Sequence, residues 1–263
     1  MVYIESKDNN LFKFVKKLKD RKSRDKEGMF ILEGFRLIEE AIKANMEIEY
    51  IIISRDYEEK FKKFFSENVA FENKINVFSN NLFSQVSSTE NSQGIIAVTK
   101  KKNYKYNLEE GNFFLVCDKV QDPGNLGTII RTAHAAGVHG IILTKGTVDI
   151  YNDKTIRSTM GSIFYIPIFY DDSNFTIIKN LKEEGFSLVA TSLKESKNFF
   201  DENLHGKIIL AVGNEGNGIS NELFELADKK VKIPMPGGAE SLNVSIATSI
   251  ILFEKVRQNL INL

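Results

Sequence analysis

Three short stretches hold polar side chains at spacings where chemistry could be done: Asp122 to Ala133 (DPGNLGTIIRTA), Val212 to Gly218 (VGNEGNG) and Ile233 to Ala247 (IPMPGGAESLNVSIA). In the third, a Gly237-Gly238 turn leads to Glu240-Ser241-Leu242-Asn243, which opens a long apolar helix. A helix start leaves about four backbone N–H groups without intrahelical partners, so Ser241 and Asn243 stand where polar or anionic groups bind; the same residue types also simply cap helices. The second stretch is a glycine-rich loop directly after an apolar strand, a pattern that lets backbone approach a ligand closely or adopt positive φ. Its spacing is G-x-x-G-x-G, not the dinucleotide G-x-G-x-x-G, and no Gly-Lys-Ser/Thr comes after it to make a phosphate loop. Glu215 is the acid it contains, readable also as an ordinary turn residue. In the first stretch Asp122-Pro123-Gly124-Asn125 is turn chemistry, with Asn125 expected at the N-cap of a helix from Leu126 to Ala136. Arg131 stands about two turns on, with no acidic residue within four positions to pair with it, although a surface helix arginine is the ordinary alternative. His134, His139 and His205 lie at no metal-ligand spacing, and with one cysteine a zinc site is not expected.

These stretches need a scaffold, and the apolar runs supply one. Phe113–Cys117, Gly140–Leu143, Ile163–Pro167, Ser187–Thr191 and Ile208–Val212 read as short buried strands of a parallel sheet, with a further strand ending at Pro234. Helices are expected at Phe175–Glu184 and after Asn243. The first hundred residues alternate similarly: strands at Phe30–Leu32, Tyr50–Ile53, Ile75–Phe78 and Ile95–Thr99, helices at Phe35–Ala44, Glu58–Glu67 and near Leu82. That is a small α/β domain. Lys100 to Asn107, polar and without apolar period, is the expected linker, giving domains at 1–102 and 108–263.

The chain has 263 residues, 42% hydrophobic and 27% charged, enough for two cores. No run approaches the ~18 apolar residues of a membrane span, and MVYIESKDNN lacks a signal-peptide core, so a cytoplasmic location is expected. Cys117, alone in an apolar strand, is expected in the core, not as a nucleophile. Net charge is zero, yet Leu11 to Lys26 holds eight Lys or Arg against two Asp. Leu11, Phe14, Val15 and Leu18 make this an amphipathic helix running into a basic loop. Its cations form either a solvated face or a phosphate-contacting patch, in which Lys16, Lys17, Arg21, Lys22 and Arg24 would meet RNA.

Taken in order, the three stretches closely resemble the signature motifs of the SpoU (TrmH-like) branch of the SPOUT RNA methyltransferases, over roughly Phe113 to Leu263. The basic N-terminal segment, Lys13 to Ile42 (KFVKKLKDRKSRDKEGMFILEGFRLIEEAI), looks like the RNA-binding domain that precedes the catalytic domain in ribosomal RNA members. The resemblance implies a small ribosomal-protein-like α/β domain and then an α/β domain with a mostly parallel sheet and a deep trefoil knot. It implies S-adenosylmethionine as cofactor, with adenosine against Thr191, Gly213, Asn214, Gly218, Ile233 and Met235, Leu242 closing over it, and no metal. It carries a catalytic set onto Asn125, Arg131, Glu215, Ser241 and Asn243, acting on a ribose 2′-hydroxyl. It implies a homodimer, with Ile246, Ile250, Phe253 and Val256 of the last helix contributing to the interface. The implied substrate is a guanosine of large-subunit (23S) ribosomal RNA; a transfer RNA target, or a non-catalytic RNA-binding or ribosome-assembly role, are the alternatives.

Overall fold

The computed structural model describes residues 1–61, 69–104, 111–192 and 197–261. The chain forms two units, one of Met1–Asn103 with Tyr151–Arg157, the other of Tyr104–Ile150 with Ser158–Leu263.

In the first unit the sheet runs β1 (Val2–Ile4), β4 (Ile75–Phe78), β3 (Ile48–Ser54), β5 (Ile95–Lys100), β2 (Met29–Glu33). β1, β4 and β3 are parallel, and β5 is antiparallel to both β3 and β2. Helix α1 (Asn10–Lys17) begins where the Asn9 side chain accepts from the N–H groups of Leu11 and Phe12. It lays Phe12, Val15 and Leu18 onto Ile52, Phe78, Ile96 and Val98 of the sheet, with Leu82 and Val86 of α4 (Asn80–Val86) completing the core. The expected basic loop after α1 is instead a second helix, α2 (Arg21–Glu27), capped by Asp20 and ended by Gly28 at φ 64°. Propensity explains the difference: Arg, Lys and Glu are good helix formers, and Asp then Gly punctuate the two ends. The helix α3 spans Phe35–Lys43. Of the helix expected at Glu58–Glu67, and the linker to Asn107, the parts beyond Phe61 and Tyr104 lie outside the described residues. Tyr151 joins this unit by packing against Phe30, ring centroids 4.5 Å apart and planes tilted by 42°, with the Lys101 ammonium 4.7 Å from its ring centroid.

The second unit is a seven-stranded, all-parallel sheet in the order β10 (Lys197–Asn198), β12 (Lys229–Lys232), β9 (Ser187–Thr191), β11 (Ile208–Val212), β6 (Phe113–Cys117), β7 (Gly140–Leu143), β8 (Ile168–Tyr170). Every residue of β6, β7 and β11 is buried, as parallel strands covered on both faces must be. Cys117 is fully buried, and burial with Asp118 beside it pushes its thiol well above the ordinary range. The helices are α5 (Pro123–Ala135), α6 (Asp153–Thr159), whose residues up to Arg157 belong to the first unit, α7 (Thr176–Glu183), α8 (Asn221–Glu225) and α9 (Val244–Ile261). Two expectations are corrected. Ile163–Pro167 is not a strand: Gly161 at φ 90° starts a 3-10 turn at Ser162–Phe164, and pairing begins only at Ile168. The strand before Pro234 is Lys229–Lys232, because a proline has no N–H to continue a ladder; Val231 is its one buried side chain. From β6 the chain moves to β7 and β8 on one side, whereas β11 and β9 lie on the other. The loops leaving β6 and β11 therefore diverge at a topological switch point, where open parallel sheets hold ligands at the strands' carboxyl ends.

Candidate active site

At that switch point α5 begins three residues earlier than the sequence suggests. Asp122 is its N-cap, accepting from the Asn125 N–H at 2.7 Å, and Pro123 occupies the first turn, where a missing N–H costs nothing. Asn125 is thus a helical residue with its amide unspent on capping. Asn243 does cap its helix: Oδ1 accepts from Ser245 N at 2.9 Å and Ser245 Oγ at 2.7 Å. That fixes which way its amide faces, and Nδ2 donates to Asn125 Oδ1 at 2.9 Å. Asn125 Nδ2 in turn donates to Glu215 Oε1 at 3.0 Å. The Asp122 and Gln121 N–H groups reach the same carboxylate at 3.1 and 3.3 Å. Glu215 accepts on every side and has no competing donor role, as an ionised carboxylate must. Burial pushes its carboxyl up, but the Asn125 amide and the backbone N–H groups of Glu215, Asp122 and Gln121 outweigh that, holding it below the ordinary glutamate range.

The glycine loop presents Glu215 by folding on itself. Asn214 and Gly218 exchange backbone hydrogen bonds at 2.8 and 2.9 Å, with Gly218 at φ 70°. A Cβ on Gly213 would lie 2.1 Å from the Gly218 carbonyl carbon and 2.2 Å from Ile219 N. The glycine is required by the loop's own closure, a constraint independent of any ligand. Asn214 is likewise spent within the protein: Oδ1 accepts from Gly216 and Asn217 N–H at 3.0 Å each, and Nδ2 donates to Lys119 O at 3.0 Å. The sequence reading missed Asp122 and the backbone of Gln121; an Asp directly before Pro at a helix start was the available signal.

The remaining expected residues fall in three groups. Arg131, on α5, and Ser241, in the loop before α9, are exposed and have no hydrogen-bond or ion-pair partner among the described residues; neither touches the Asn243–Asn125–Glu215 chain. Thr191 ends β9 with its hydroxyl on Ala211 O at 3.2 Å. Ile233 and Met235 are half-buried and Leu242 is 36% exposed, so apolar surface remains uncovered beside the strands' carboxyl ends, as a purine site needs. In the first unit Lys16, Lys17, Arg21 and Lys22 are exposed; Lys16 is 3.4 Å from Gln85 Oε1 and Arg21 is 3.7 Å from Asp25. Arg24 corrects the expectation. It is buried, and its guanidinium donates to Leu18 O at 3.0 Å and Lys19 O at 2.7 Å, the carbonyls of the C-cap of α1 and of the residue after it. Among the described residues no group of His, Cys, Asp or Glu is arranged to hold a metal ion, and no helix is long and apolar enough to cross a membrane.

Residues 112–253 match the model of the SpoU rRNA Methylase family, and residues 9–97 that of the MRM3-like substrate binding domain. The chain is 36% identical over 253 residues to the Bacillus subtilis (strain 168) 23S rRNA (guanosine(2553)-2'-O)-methyltransferase RlmP, covering 96% of this chain and 98% of that one. It is 32% identical over 238 residues to RlmB, a 23S rRNA (guanosine-2'-O-)-methyltransferase of Shewanella oneidensis, covering 87% and 97%. Among solved structures, the AdoMet-bound rRNA methyltransferase from Sinorhizobium meliloti superimposes with a TM-score of 0.86 at 32% identity, over 97% of each chain. AviRb, a SpoU methyltransferase from Streptomyces viridochromogenes bound to AdoMet, gives 0.85 at 28% identity, over 96% and 98%.

Proposed function

The chain belongs to the SpoU rRNA methylase family, and from that premise we propose that it is an S-adenosylmethionine-dependent enzyme methylating a ribose 2′-hydroxyl of 23S ribosomal RNA, on a guanosine. The observation that carries the chemistry is the directed chain Asn243 to Asn125 to Glu215, which joins all three motifs in one hydrogen-bonded unit. The uncovered apolar surface of Ile233, Met235 and Leu242 supports cofactor binding beside the glycine loop. When bound, the cofactor supplies an electrophilic sulfonium methyl.

The protein's own work is to hold and polarise the ribose. Asn125 keeps one amide hydrogen and one carbonyl lone pair beyond those used by Glu215 and Asn243, and these can orient the sugar. The Ser241 hydroxyl, exposed at the mouth of α9, offers a further contact. Arg131 acts as a fixed cation that binds the neighbouring phosphate and lowers the 2′-hydroxyl pKa, the proton passing to a phosphate oxygen or water. A neutral arginine at pH 7 would cost about 8 kcal/mol, some six pKa units, which disfavours it as the base. Alignment of oxygen, methyl carbon and sulfur provides much of the acceleration.

The first unit is the RNA-holding domain, with Lys16, Lys17, Arg21 and Lys22 toward phosphates, and the second is the catalytic, cofactor-binding and dimerising domain. A homodimer is supported by the exposed apolar side chains Ile246 and Phe253 on α9, and by the exposed Tyr165 ending the Ser162–Phe164 turn that packs on α5. A C-terminal trefoil knot and a cytoplasmic location complete the reading. The test is 2′-O-methyl mapping of total RNA with and without the gene, together with methylation of a large-subunit RNA transcript by purified protein. One guanosine ribose methyl should vanish with the gene and be restored in vitro; an unchanged map, or methyl on a base, would overturn the assignment.

A further inference from the structure

Behind the site lies a carboxylate that none of the three motifs' expected roles uses. Asp118, the residue after β6, is fully buried, and among the described residues no cation pairs with it. An unpaired buried acid is costly, so its two acceptor oxygens must be needed where they are. Oδ2 accepts from Ser220 N at 2.7 Å, which holds the far end of the glycine loop; Oδ1 accepts from the Thr144 hydroxyl at 2.7 Å. Because that hydroxyl hydrogen goes to Asp118, the Thr144 oxygen has a lone pair turned to the Lys119 N–H, 3.1 Å away. Lys119 sits at φ 56°, a strained conformation for lysine that persists only where its surroundings over-determine it. Its N–H is held by Thr144 and its carbonyl by Asn214. That kink turns the chain out of β6 so that the Gln121 and Asp122 N–H groups meet Glu215.

We propose that Asp118 is a positioning residue for methyl transfer: a single buried acceptor anchors both loops that meet at Glu215 and Asn125. The proposal rests on the methyltransferase reading for its kinetic part only. An amide replaces the acid only at the loss of one of these bonds. An asparagine in its place would turn its NH₂ either to Ser220 N–H, donor against donor, or to Thr144, whose hydroxyl hydrogen would then lose the acceptor that orients it toward position 118 and its lone pair toward Lys119.

The experiment compares Asp118→Asn, Glu215→Gln and the double variant. In the free protein, amide hydrogen exchange at Gln121 and Asp122 should accelerate in Asp118→Asn by about tenfold, the loss of roughly one hydrogen bond, although Asp118 touches neither amide. Single-turnover methylation at saturating RNA and S-adenosylmethionine should fall by a similar factor, with KM for RNA unchanged. The double variant should match Glu215→Gln alone, since both changes act through one group. Unchanged exchange at Gln121 and Asp122, or multiplicative losses in the double variant, would overturn the proposal. If Asp118→Asn does not fold, Thr144→Val, which removes only the hydroxyl link, carries the same comparison. Exchange that accelerates as expected in a protein methylating no RNA would sink the enzymatic reading while leaving the loop anchor standing.

Discussion

Replacing Glu215 by Gln keeps the side chain's size and removes one acceptor, so it tests whether the three motifs act as a hydrogen-bonded unit. The direction of every donor is set from Ser245 N–H inward, through Asn243 and Asn125, so an acceptor is obligatory at position 215. A glutamine carbonyl would take the shorter pair, Asp122 N at 3.1 Å and Asn125 Nδ2 at 3.0 Å. Its NH₂ would then face Gln121 N and Asn214 Nδ2, donors at 3.3 and 3.5 Å from the other oxygen. Demoting two charge-assisted bonds and losing the long pair sums to about 2–3 kcal/mol; solvent at this exposed loop halves it to roughly 1–1.5 kcal/mol. The site should therefore be ordered about tenfold less often. Single-turnover transfer of labelled methyl to RNA should fall by about five- to tenfold, and Tm by ~3 °C. The pH dependence has a definite sign. The folded carboxyl lies below its ordinary range, so its stabilisation is fully present above the unfolded glutamate pKa and is lost as pH falls through the folded value. The Tm gap between wild type and Glu215→Gln should hold steady at neutral pH and close only at acid pH. A variant that methylates within twofold of wild type, with the same Tm, would refute the reasoning.

If Arg131 is an electrostatic clamp, Arg131→Lys loses the planar fork and should fall steeply in rate with cofactor affinity intact, whereas a base role would leave much of the rate and shift the pH profile downward; single-turnover rates from about pH 6 to 10 decide it. Gly213→Ala should abolish calorimetric S-adenosylmethionine binding, because its Cβ meets loop backbone at 2.1 Å and the loop cannot close; an unchanged affinity would dissociate the loop from the cofactor. Arg24→Ala should lower stability by about 2 kcal/mol, leaving the Leu18 and Lys19 carbonyls without their donor, yet leave the salt dependence of RNA binding unchanged. Lys17→Ala and Lys22→Ala should do the reverse, each flattening the salt slope by somewhat less than one unit with no loss in Tm.

Strand bounds at Phe113–Cys117, Gly140–Leu143 and Ile208–Val212 were readable because a fully buried strand is an unbroken apolar run, a local property of the chain, and Ser187–Thr191 from its buried apolar centre, Leu188–Ala190. The Asn243 cap was readable for the same reason, since its partners are two and three residues away. Where apolar content and pairing part company the reading fails: Ile163–Pro167 is apolar but turns after Gly161, and Lys229–Lys232 is a strand of three lysines whose register comes from β9. The link from Tyr151–Arg157 to the first unit has no local signature at all. Nor does the burial of Arg24, which looks in sequence like its solvated neighbours. The residue types of the site, an Asn, a Glu and an Asn in three separate motifs, are sequence facts. Which atom of each faces which is not: Asn125 and Glu215 lie 90 residues apart, Asn125 and Asn243 118 apart. The order of parallel strands brings their loops to one crevice, and the N-terminus of α9 then dictates the direction of every bond in it, a choice that side chains so far apart along the chain cannot make until the sheet is formed.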